Sequence, residues 1–458
     1  MQKQREHWGT QLGFILAAAG SAIGLGTLWK FPYMTASNGG GLFVLLYLFC
    51  TFLIGIPLFI AELILGRKTQ RAAVGVFSEL SGHATPWRAV GWLGVASSFV
   101  IMSYYSTIAG WGLNYILMSL NQVFSGRSPQ EVDATFEALK SSWDINLFWH
   151  FIFTGITVAV VYKGIREGIE YWSKIMTSTL FVLLILLSIY SCTLAGFGQA
   201  VDFILVPHFD QLKPSTIIEA LGLAFFTLSL GQGIMLTYGS YMRRTDNIPK
   251  AAFIVGFGIL CAAIMASLII FPIIFTYGAE PQAGPGLVFQ SLPLLFARLP
   301  ASTLISTVFF TLFVFAGLTS AIPLIEVVAA NLMDLYEIPR KKATVWVGIA
   351  CFILGIPSAL SWSNTVFKDW HAIYGKTFFE TMDNLATVWM IPICGFSITI
   401  YIGWFLREEM IKEEFFAGTQ WKWLWRPWLF LIRYIAPLAM LLIFLQNAGL
   451  ISIDSLLN

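Results

Sequence analysis

The stretch Gly20-Ser21-Ala22-Ile23-Gly24-Leu25-Gly26 lies in the middle of the first long apolar run and decides how that run can fold. Three glycines in seven residues weaken a helix, because each costs about 1 kcal/mol relative to alanine in a helix interior. A helix that is interrupted at the depth of a bilayer leaves amides and carbonyls without partners, and lipid supplies none. Two explanations stay open here: close packing of helices on small residues, or a ligand held by the free backbone groups.

The composition of the chain predicts an all-α membrane protein. Of its 458 residues, 57% are hydrophobic and only 11% are charged, a balance that soluble domains do not show. The apolar runs predict eleven spanning helices, near residues 11–35, 40–66, 90–123, 147–163, 170–195, 217–241, 251–277, 301–334, 343–361, 378–406 and 428–448.

The basic residues predict the orientation of these helices. With a cytoplasmic N-terminus, twenty of the 27 lysines and arginines fall on the inside and seven on the outside, which agrees with the positive-inside rule. We therefore expect a multi-pass protein of the plasma membrane, with its C-terminus outside. A net charge of +2 gives no indication of a nucleic-acid partner.

The motifs that mark enzymes and zinc sites are missing from the sequence. The histidines show no H-x-x-x-H spacing and the five cysteines no C-x-x-C spacing. There is no nucleophile elbow, P-loop or complete dinucleotide fingerprint. We therefore expect neither an enzyme nor an organic cofactor.

A second interruption follows in the sixth predicted helix, where residues 225–233 read FFTLSLGQG. Two interrupted helices at corresponding positions of two halves are typical of secondary transporters built from inverted repeats. This predicts one domain over residues 1–458, with repeat one at about 11–195, repeat two at about 217–406 and an extra helix at about 428–448. The alternative is two independent packing kinks.

The helix dipole assigns chemistry to the broken ends. The amides at Leu25 and Gly26 begin the outer half of the first helix, and a helix N-terminus favours a carboxylate. The carbonyls around Ala22, Phe226 and Thr227 suit an ammonium group or a small cation. A zwitterion fits both ends at once.

The eighth predicted helix supplies further oxygen atoms. The carbonyl of Ala316 and the hydroxyls of Thr319 and Ser320 stand at positions i, i+3 and i+4, close to one helix face. Uncharged oxygen donors suit a small monovalent cation better than calcium. The alternative is that these hydroxyls bond to carbonyls of their own helix.

Together these motifs resemble the neurotransmitter:sodium symporter family, in particular its bacterial amino acid transporters. The resemblance rests on Arg5 to Trp8, Gly20 to Gly26 with Phe31-Pro32, Asn38 to Gly41, Gly55-Ile56-Pro57, Glu62, Tyr104-Tyr105, Phe225 to Gly233, Gly284-Pro285-Gly286 and Phe315 to Ser320. It implies the leucine-transporter fold, with an inverted 5+5 repeat and discontinuous helices 1 and 6.

The resemblance also implies a substrate pocket and two gates. The pocket consists of Ser21, Ala22, Leu25, Gly26, Ile101, Tyr105, Phe226, Thr227, Ser229, Gln232, Ser320 and Leu324. Tyr105 would donate its hydroxyl to the substrate carboxylate, and Phe226 would close the site from outside. The outer gate comprises Lys30, Asp383, Tyr105 and Phe226, and the inner gate comprises Arg5, Trp8, Tyr241 and Asp334.

For sodium, the resemblance implies one intact site and one weak or absent site. The intact site uses the carbonyls of Gly20, Ile23 and Ala316 with the hydroxyls of Thr319 and Ser320. The other site retains only Ala22, Thr27 and Thr227, because residues 251–266 of the seventh helix contain no Ser, Thr, Asn, Asp or Glu. The same stretch gives no support for chloride coupling.

Other positions also depart from the family pattern. Lys30 replaces an arginine, which loses the planar fork and predicts a looser pair with Asp383. Ser178 replaces the proline that helps helix 5 unwind, so Gly168 would act without it. Gln232 replaces an apolar residue; it selects a polar substrate side chain, or it bonds a free carbonyl of the sixth helix.

Two carboxylates, Glu62 and Glu326, lie within predicted spans, where acidic side chains are functional by default. Glu62 resembles a family glutamate that braces broken backbone from helix 2. With one sodium site weak or absent, a proton-linked role for either residue stays open.

The sequence thus predicts a sodium-coupled symporter that imports a small zwitterionic amino acid, hydrophobic or otherwise neutral, by alternating access. The alternatives are a proton-coupled or single-ion transporter of an amino acid, an amine or a compatible solute, and a sensor or channel that does not transport. The partners are the substrate and the lipid bilayer. The oligomeric state stays open, although the sites implied are all within one monomer.

Overall fold

The computed structural model describes residues 5–83, 85–278, 286–363, 365, 367 and 369–452, so Gly284 and Pro285 of the sequence motif lie outside the described residues. Within these ranges the chain is helical, and the strand-like pairing is confined to an isolated bridge between Gly40 and Pro207. This confirms the all-α class.

Each of the eleven predicted helices has a counterpart, and we number them α1 to α11. They are α1 (Gln11–Ala22 and Gly26–Ser37), α2 (Gly41–Thr69), α3 (Arg88–Leu120), α4 (Trp143–Tyr162), α5 (Ile165–Ser191), α6 (Pro214–Thr227 and Ile234–Gly239), α7 (Ile248–Tyr277), α8 (Ser302–Tyr336), α9 (Arg340–Ala359), α10 (Phe378–Phe405) and α11 (Lys422–Asn447). Among the described residues, nine helices are long and apolar enough to cross a membrane, or ten if the two halves of α1 count as one span. The halves of α6 are shorter.

The predicted break of α1 is present. The first half ends at Ala22, after which Ile23 has a ψ of 61° that no longer continues a helix. The second half begins at Gly26 with a wide, π-helical turn up to Lys30 and is bent by 52° from the first.

The break of α6 depends on three residues in the left-handed region, Ser229 (φ 55°), Gly231 (φ 68°) and Gly233 (φ 73°). Gly231 also lies against α10, because a Cβ atom there would stand 2.6 Å from the carbonyl oxygen of Ile391. A side chain is therefore excluded by both the dihedral angle and the neighbour.

The two broken helices lie inside the bundle. α3 and α8 pack against each other and are 78% and 83% buried over their apolar windows, against 33% for α5. The first half of α1 packs on α5, α7 and α8, and the second half of α6 packs on α2. Large apolar side chains on the outer helices, such as Phe151 and Ile353, are exposed, as expected for contact with lipid.

In the described part of the chain, six further α-helices in the connections were not predicted: Ala73–Ser81, Pro129–Ser141, Phe197–Leu205, Leu287–Phe296, Trp370–Tyr374 and Glu408–Phe416. They are too short or too polar to appear as spans. One of them carries a clear signal, since Ser128 and Glu131 form a capping box at the start of Pro129–Ser141.

Candidate functional site

The breaks of α1 and α6 face one cavity of about 30 Å³. All twelve residues that the resemblance assigns to the substrate pocket line this cavity. It is also lined by Gly24 and Ile234, which the sequence analysis did not include. Both follow directly from the breaks, because Gly24 lies within the first and Ile234 resumes the helix after the second.

The glycines of α1 allow three other helices to reach the broken backbone. A Cβ atom on Gly20 would collide with the hydroxyl of Thr177 on α5 and stand 3.0 Å from the Cβ atom of Thr319 on α8. A Cβ atom on Gly26 would stand 3.0 Å from the ring of Phe226 on α6. Close packing therefore accounts for part of the glycine content, and two of the three partners, Thr319 and Phe226, are themselves candidate site residues.

One end of the cavity is suited to a carboxylate. The amide of Leu25 donates a hydrogen bond to the hydroxyl oxygen of Tyr105 at 3.4 Å. Gly26 then begins the second half of α1, whose first amides and dipole favour negative charge. The Tyr105 hydroxyl can donate its own proton toward an anion at this place.

Hydroxyl groups connect the break of α1 to α6 and α8. The hydroxyl oxygens of Ser21 and Ser229 are 3.1 Å apart. Ser320 donates to the carbonyl oxygen of Ser21 at 2.8 Å. The break is thus held by hydrogen bonds from both neighbouring helices.

The structure brings one predicted sodium ligand of α1 next to one of α8. The hydroxyl of Ser320 lies 3.5 Å from the carbonyl oxygen of Gly20. The hydroxyl of Thr319 bonds within its own helix, to the carbonyl oxygens of Phe315 and Ala316 at 3.0 and 3.1 Å. For Thr319, therefore, the bond within the helix that the sequence left open is present, whereas Ser320 bonds across to α1.

At the place of the second predicted sodium site the hydroxyls already have partners. Thr27 donates to the carbonyl oxygen of Ala22 at 3.2 Å. The hydroxyl of Thr227 lies 2.8 Å from the Tyr47 hydroxyl and 2.9 Å from the carbonyl oxygen of Leu223. Residues 251–266 of α7 contribute no polar oxygen from a side chain.

The broken backbone of α6 is braced from two sides. The buried carboxylate of Glu62 accepts a hydrogen bond from the amide of Gly231 at 2.8 Å, as the resemblance implies. From α3, Ser98 donates to the carbonyl oxygen of Gln232 at 2.6 Å. The sequence analysis missed Ser98, although two adjacent serines within an apolar helix are a usable signal.

The predicted outer ion pair is not formed. No ion pair within the part of the chain that the structure describes includes Lys30 or Asp383. The ammonium of Lys30 lies 5.2 Å from the ring centroid of Phe226 instead. Because a ring face attracts a cation, this contact holds the lysine over Phe226, which lines the cavity.

The four residues of the predicted inner gate are held by close contacts. Both carboxylate oxygens of Asp334 accept bonds from the Arg5 guanidinium at 2.6 Å. Arg5 also donates to the Ser240 hydroxyl at 2.7 Å and lies 4.8 Å from the Tyr241 ring centroid. The indole of Trp8 donates to the carbonyl oxygen of Tyr238 at 3.1 Å.

The second carboxylate singled out in the sequence, Glu326, belongs to the same inner side. It is buried and accepts a hydrogen bond from the Tyr241 hydroxyl at 2.5 Å. The guanidinium of Arg340 pairs with it at 2.7 Å. An arginine therefore balances its charge.

The N-terminal segment and α5 exchange carboxylate caps. Glu6 accepts a hydrogen bond from the amide of Ile165, the first residue of α5, at 2.8 Å. In return Glu170 of α5 accepts from the amide of Gly9 at 2.6 Å, just before α1. The first turn of α5, Ile165–Glu170, is π-helical and contains Gly168.

Comparison with known proteins agrees with this geometry. The profile of the sodium:neurotransmitter symporter family matches residues 5–131 and 138–455. An uncharacterized sodium-dependent transporter of Bacillus subtilis is 39% identical over 446 residues, which cover 97% of this chain and 98% of that protein. A sodium-dependent dopamine transporter of Caenorhabditis elegans is 26% identical over 92% of this chain and 78% of its own length.

Among solved structures, the crystal structure of MhsT in complex with L-phenylalanine is 38% identical and superposes with a TM-score of 0.88. The match covers 97% of this chain and 100% of that one. The matched proteins are transporters and not enzymes. The chain belongs to the sodium:neurotransmitter symporter family and is a multi-pass membrane protein with the leucine-transporter fold.

Proposed function

We propose that this protein is a sodium-coupled symporter that imports a small, neutral, zwitterionic amino acid by alternating access. The observation that carries the proposal is a cavity that the breaks of α1 and α6 line together. At one end it offers the amide of Leu25 and the hydroxyl of Tyr105 for a carboxylate. Backbone carbonyl oxygens at the broken ends suit the ammonium group, and no charged side chain lines the cavity.

We assign one sodium ion to the carbonyls of Gly20, Ile23 and Ala316 and the hydroxyls of Thr319 and Ser320. Five uncharged oxygens suit a monovalent cation, and His, Cys, Asp and Glu form no metal-binding group in the described part of the chain. The hydroxyls of Thr319 and Ser320 rotate freely about their own bonds, so they can turn lone pairs toward the ion. A second sodium ion at Ala22, Thr27 and Thr227 has too few donors.

Alternating access follows from closures on opposite sides of the cavity. Arg5, Trp8, Tyr241 and Asp334 close the inner side. Phe226 lies at the outer side with Lys30 over its ring. We place the N-terminus in the cytoplasm and the C-terminus outside. We also propose that a monomer is competent and that the mechanism uses no organic cofactor.

The test is a thermal-shift screen of the twenty amino acids in sodium and in potassium at two pH values, followed by uptake into proteoliposomes. We expect stabilisation by a neutral amino acid in sodium only, and uptake driven by a sodium gradient. Uptake driven by a proton gradient in potassium would replace the proposal with proton coupling. Ion conductance without uptake, or ligand binding without uptake, would identify a channel or a sensor instead.

A further inference from the structure

One polar side chain in the cavity differs from all the others. Six of the lining residues carry polar side chains: Ser21, Tyr105, Thr227, Ser229, Gln232 and Ser320. The hydroxyls of five of them are hydrogen-bonded within the protein. The carboxamide of Gln232 has no hydrogen-bond partner among the described residues.

The carboxamide is nevertheless not sealed inside protein. Gln232 as a whole is only 4% exposed. The oxygen and nitrogen of its carboxamide, however, are not fully enclosed by protein atoms. Its amide is therefore open to the cavity that it lines. The alternative from the sequence, a bond between this amide and a free carbonyl of α6, is not formed.

The backbone at this position is held firmly, so the side chain has a defined direction. Ser98 donates to the carbonyl oxygen of Gln232, and Glu62 accepts from the amide of the preceding residue, Gly231. Gly94 on α3 allows close approach, because a Cβ atom there would stand 3.1 Å from the amide nitrogen of Gly233. These contacts fix the position of Gln232 along the axis of the neighbouring helix α3, beside Ser98.

Gln232 therefore lies at the end of the cavity that is opposite to the carboxylate end. Ser98, Ile101 and Tyr105 follow one face of α3, so Gln232 lies about two helical turns from Tyr105. A substrate with its carboxylate at Tyr105 and Leu25 therefore extends its side chain toward Gln232. Ile101 and Leu324 provide the apolar walls between.

We propose that Gln232 makes the pocket select an amino acid with a neutral side chain that carries a hydroxyl or a carboxamide, such as threonine, serine or asparagine. The inference rests on the proposed function. A carboxamide offers one acceptor and two donors, and a buried amide without a partner is costly. An apolar side chain leaves it unpaired. No charged side chain lines the cavity, which disfavours an ionised substrate side chain.

The test compares amino acids of nearly equal shape in sodium. L-Threonine differs from L-valine by a hydroxyl in place of a methyl group, and L-asparagine differs from L-leucine by a carboxamide in place of an isopropyl group. In the full-length protein in detergent, we expect threonine to bind about tenfold more tightly than valine, and asparagine than leucine, since one satisfied buried hydrogen bond is of this order. Equal or stronger binding of the apolar member in both pairs would overturn the inference.

Variants then assign the preference to one side chain. Gln232→Met keeps the length of the side chain and removes its hydrogen-bonding groups, so we expect the threonine-to-valine ratio to fall to about one or below. Gln199→Met makes the same exchange on an exposed residue outside the site and is expected to keep the wild-type ratio. A tenfold preference that survives in Gln232→Met would also overturn the inference.

The outcomes separate this inference from the proposed function. If no amino acid binds in a sodium-dependent way, the proposed function fails. If amino acids bind with sodium but the paired amino acids bind equally, the proposed function stands and the role of Gln232 fails. The wild-type comparison needs no variant, so it decides the matter even if Gln232→Met does not fold.

Discussion

The hydroxyl of Ser320 occupies the space into which a side chain on Gly24 would project. α8 therefore rests directly on the broken backbone of α1, and the hydroxyl of Tyr105 is 3.3 Å from the same position. Because Ser320 also bonds the carbonyl oxygen of Ser21, its place is determined by α1 itself. Any residue larger than glycine at position 24 must displace it.

Gly24→Ala is expected to lower sodium-dependent substrate binding at least about tenfold, because the added methyl group pushes Ser320 away from α1. Binding is measured by thermal shift, and size-exclusion chromatography reports whether the variant folds. Gly155→Ala is the matched control, since a Cβ atom at that position in α4 meets nothing within 4 Å. Wild-type affinity in Gly24→Ala would contradict the geometry.

The double substitution Thr319→Ala with Ser320→Ala is expected to abolish sodium-dependent substrate binding. It removes two of the five oxygens that we assign to the ion, and the sodium concentration for half-maximal stabilisation is expected to rise beyond about tenfold. Thr311→Ala is the control, because Thr311 also bonds within α8, to Thr307 at 2.7 Å, and lies away from the site. Unchanged binding in the double variant would remove the sodium assignment.

A sodium titration at saturating substrate is expected to give a Hill coefficient of about 1. The reason lies in the second predicted sodium site. There the hydroxyls of Thr27 and Thr227 donate to backbone carbonyls of the protein, and residues 251–266 of α7 supply no further oxygen ligand from a side chain. Isothermal calorimetry and thermal shift both report this number. Two strongly cooperative sodium ions would show that other oxygens complete the second site.

Glu62→Gln and Glu62→Ala are expected to behave differently. Glutamine keeps an acceptor oxygen for the amide of Gly231 and should keep most of the substrate binding. Alanine leaves that buried amide without a partner, which costs about 1–3 kcal/mol and should lower the melting temperature. The exposed Glu137→Ala serves as the control. Equal loss in both Glu62 variants would mean that its charge, and not its hydrogen bond, matters.

Arg5→Ala is expected to open the inner side. Loss of its bonds to Asp334 and Ser240 removes charge-assisted contacts that favour the closed state. In a background without the exposed Cys192, a reporter Thr237→Cys should then react about tenfold faster with an impermeant thiol reagent from inside.

The control for this measurement is Arg244→Ala, because Arg244 is 62% exposed and forms a surface ion pair with Glu413. Pairs of that kind contribute about 0–1 kcal/mol. If both arginine variants change the reaction rate of the reporter cysteine equally, the bonds of Arg5 do not hold the inner side closed.

The positions of the helices were predictable because the hydropathy pattern of a spanning helix is strong. The prediction for the tenth helix, 378–406, ends one residue beyond Phe405. The sixth helix was predicted over 217–241, whereas its second half ends at Gly239 and six residues between the halves are not helical. Short helices such as Ala73–Ser81 were not predicted, because the hydropathy pattern does not report an element that lies outside the membrane span.

The lining of the cavity was predictable from the resemblance, and the partners of its side chains were not. The sequence paired Lys30 with Asp383, but the structure places the ammonium over Phe226. Likewise, the sequence left open whether Gln232 bonds α6 or faces the cavity. The rotamer of a side chain depends on which neighbouring groups it can contact. Those neighbours are known only once the packing of the helices is known.

The exchange of caps between Glu6 and Glu170 has a consequence for the way the inner side opens. Each bond needs both segments in place, so displacing either the N-terminal segment or the start of α5 frees the amides of Gly9 and Ile165 together. If only one segment moves, both hydrogen bonds are lost. The freed amides and carboxylates then stay partly enclosed without new partners. The two segments therefore form one cooperative unit, and half-open inner states should be sparsely populated.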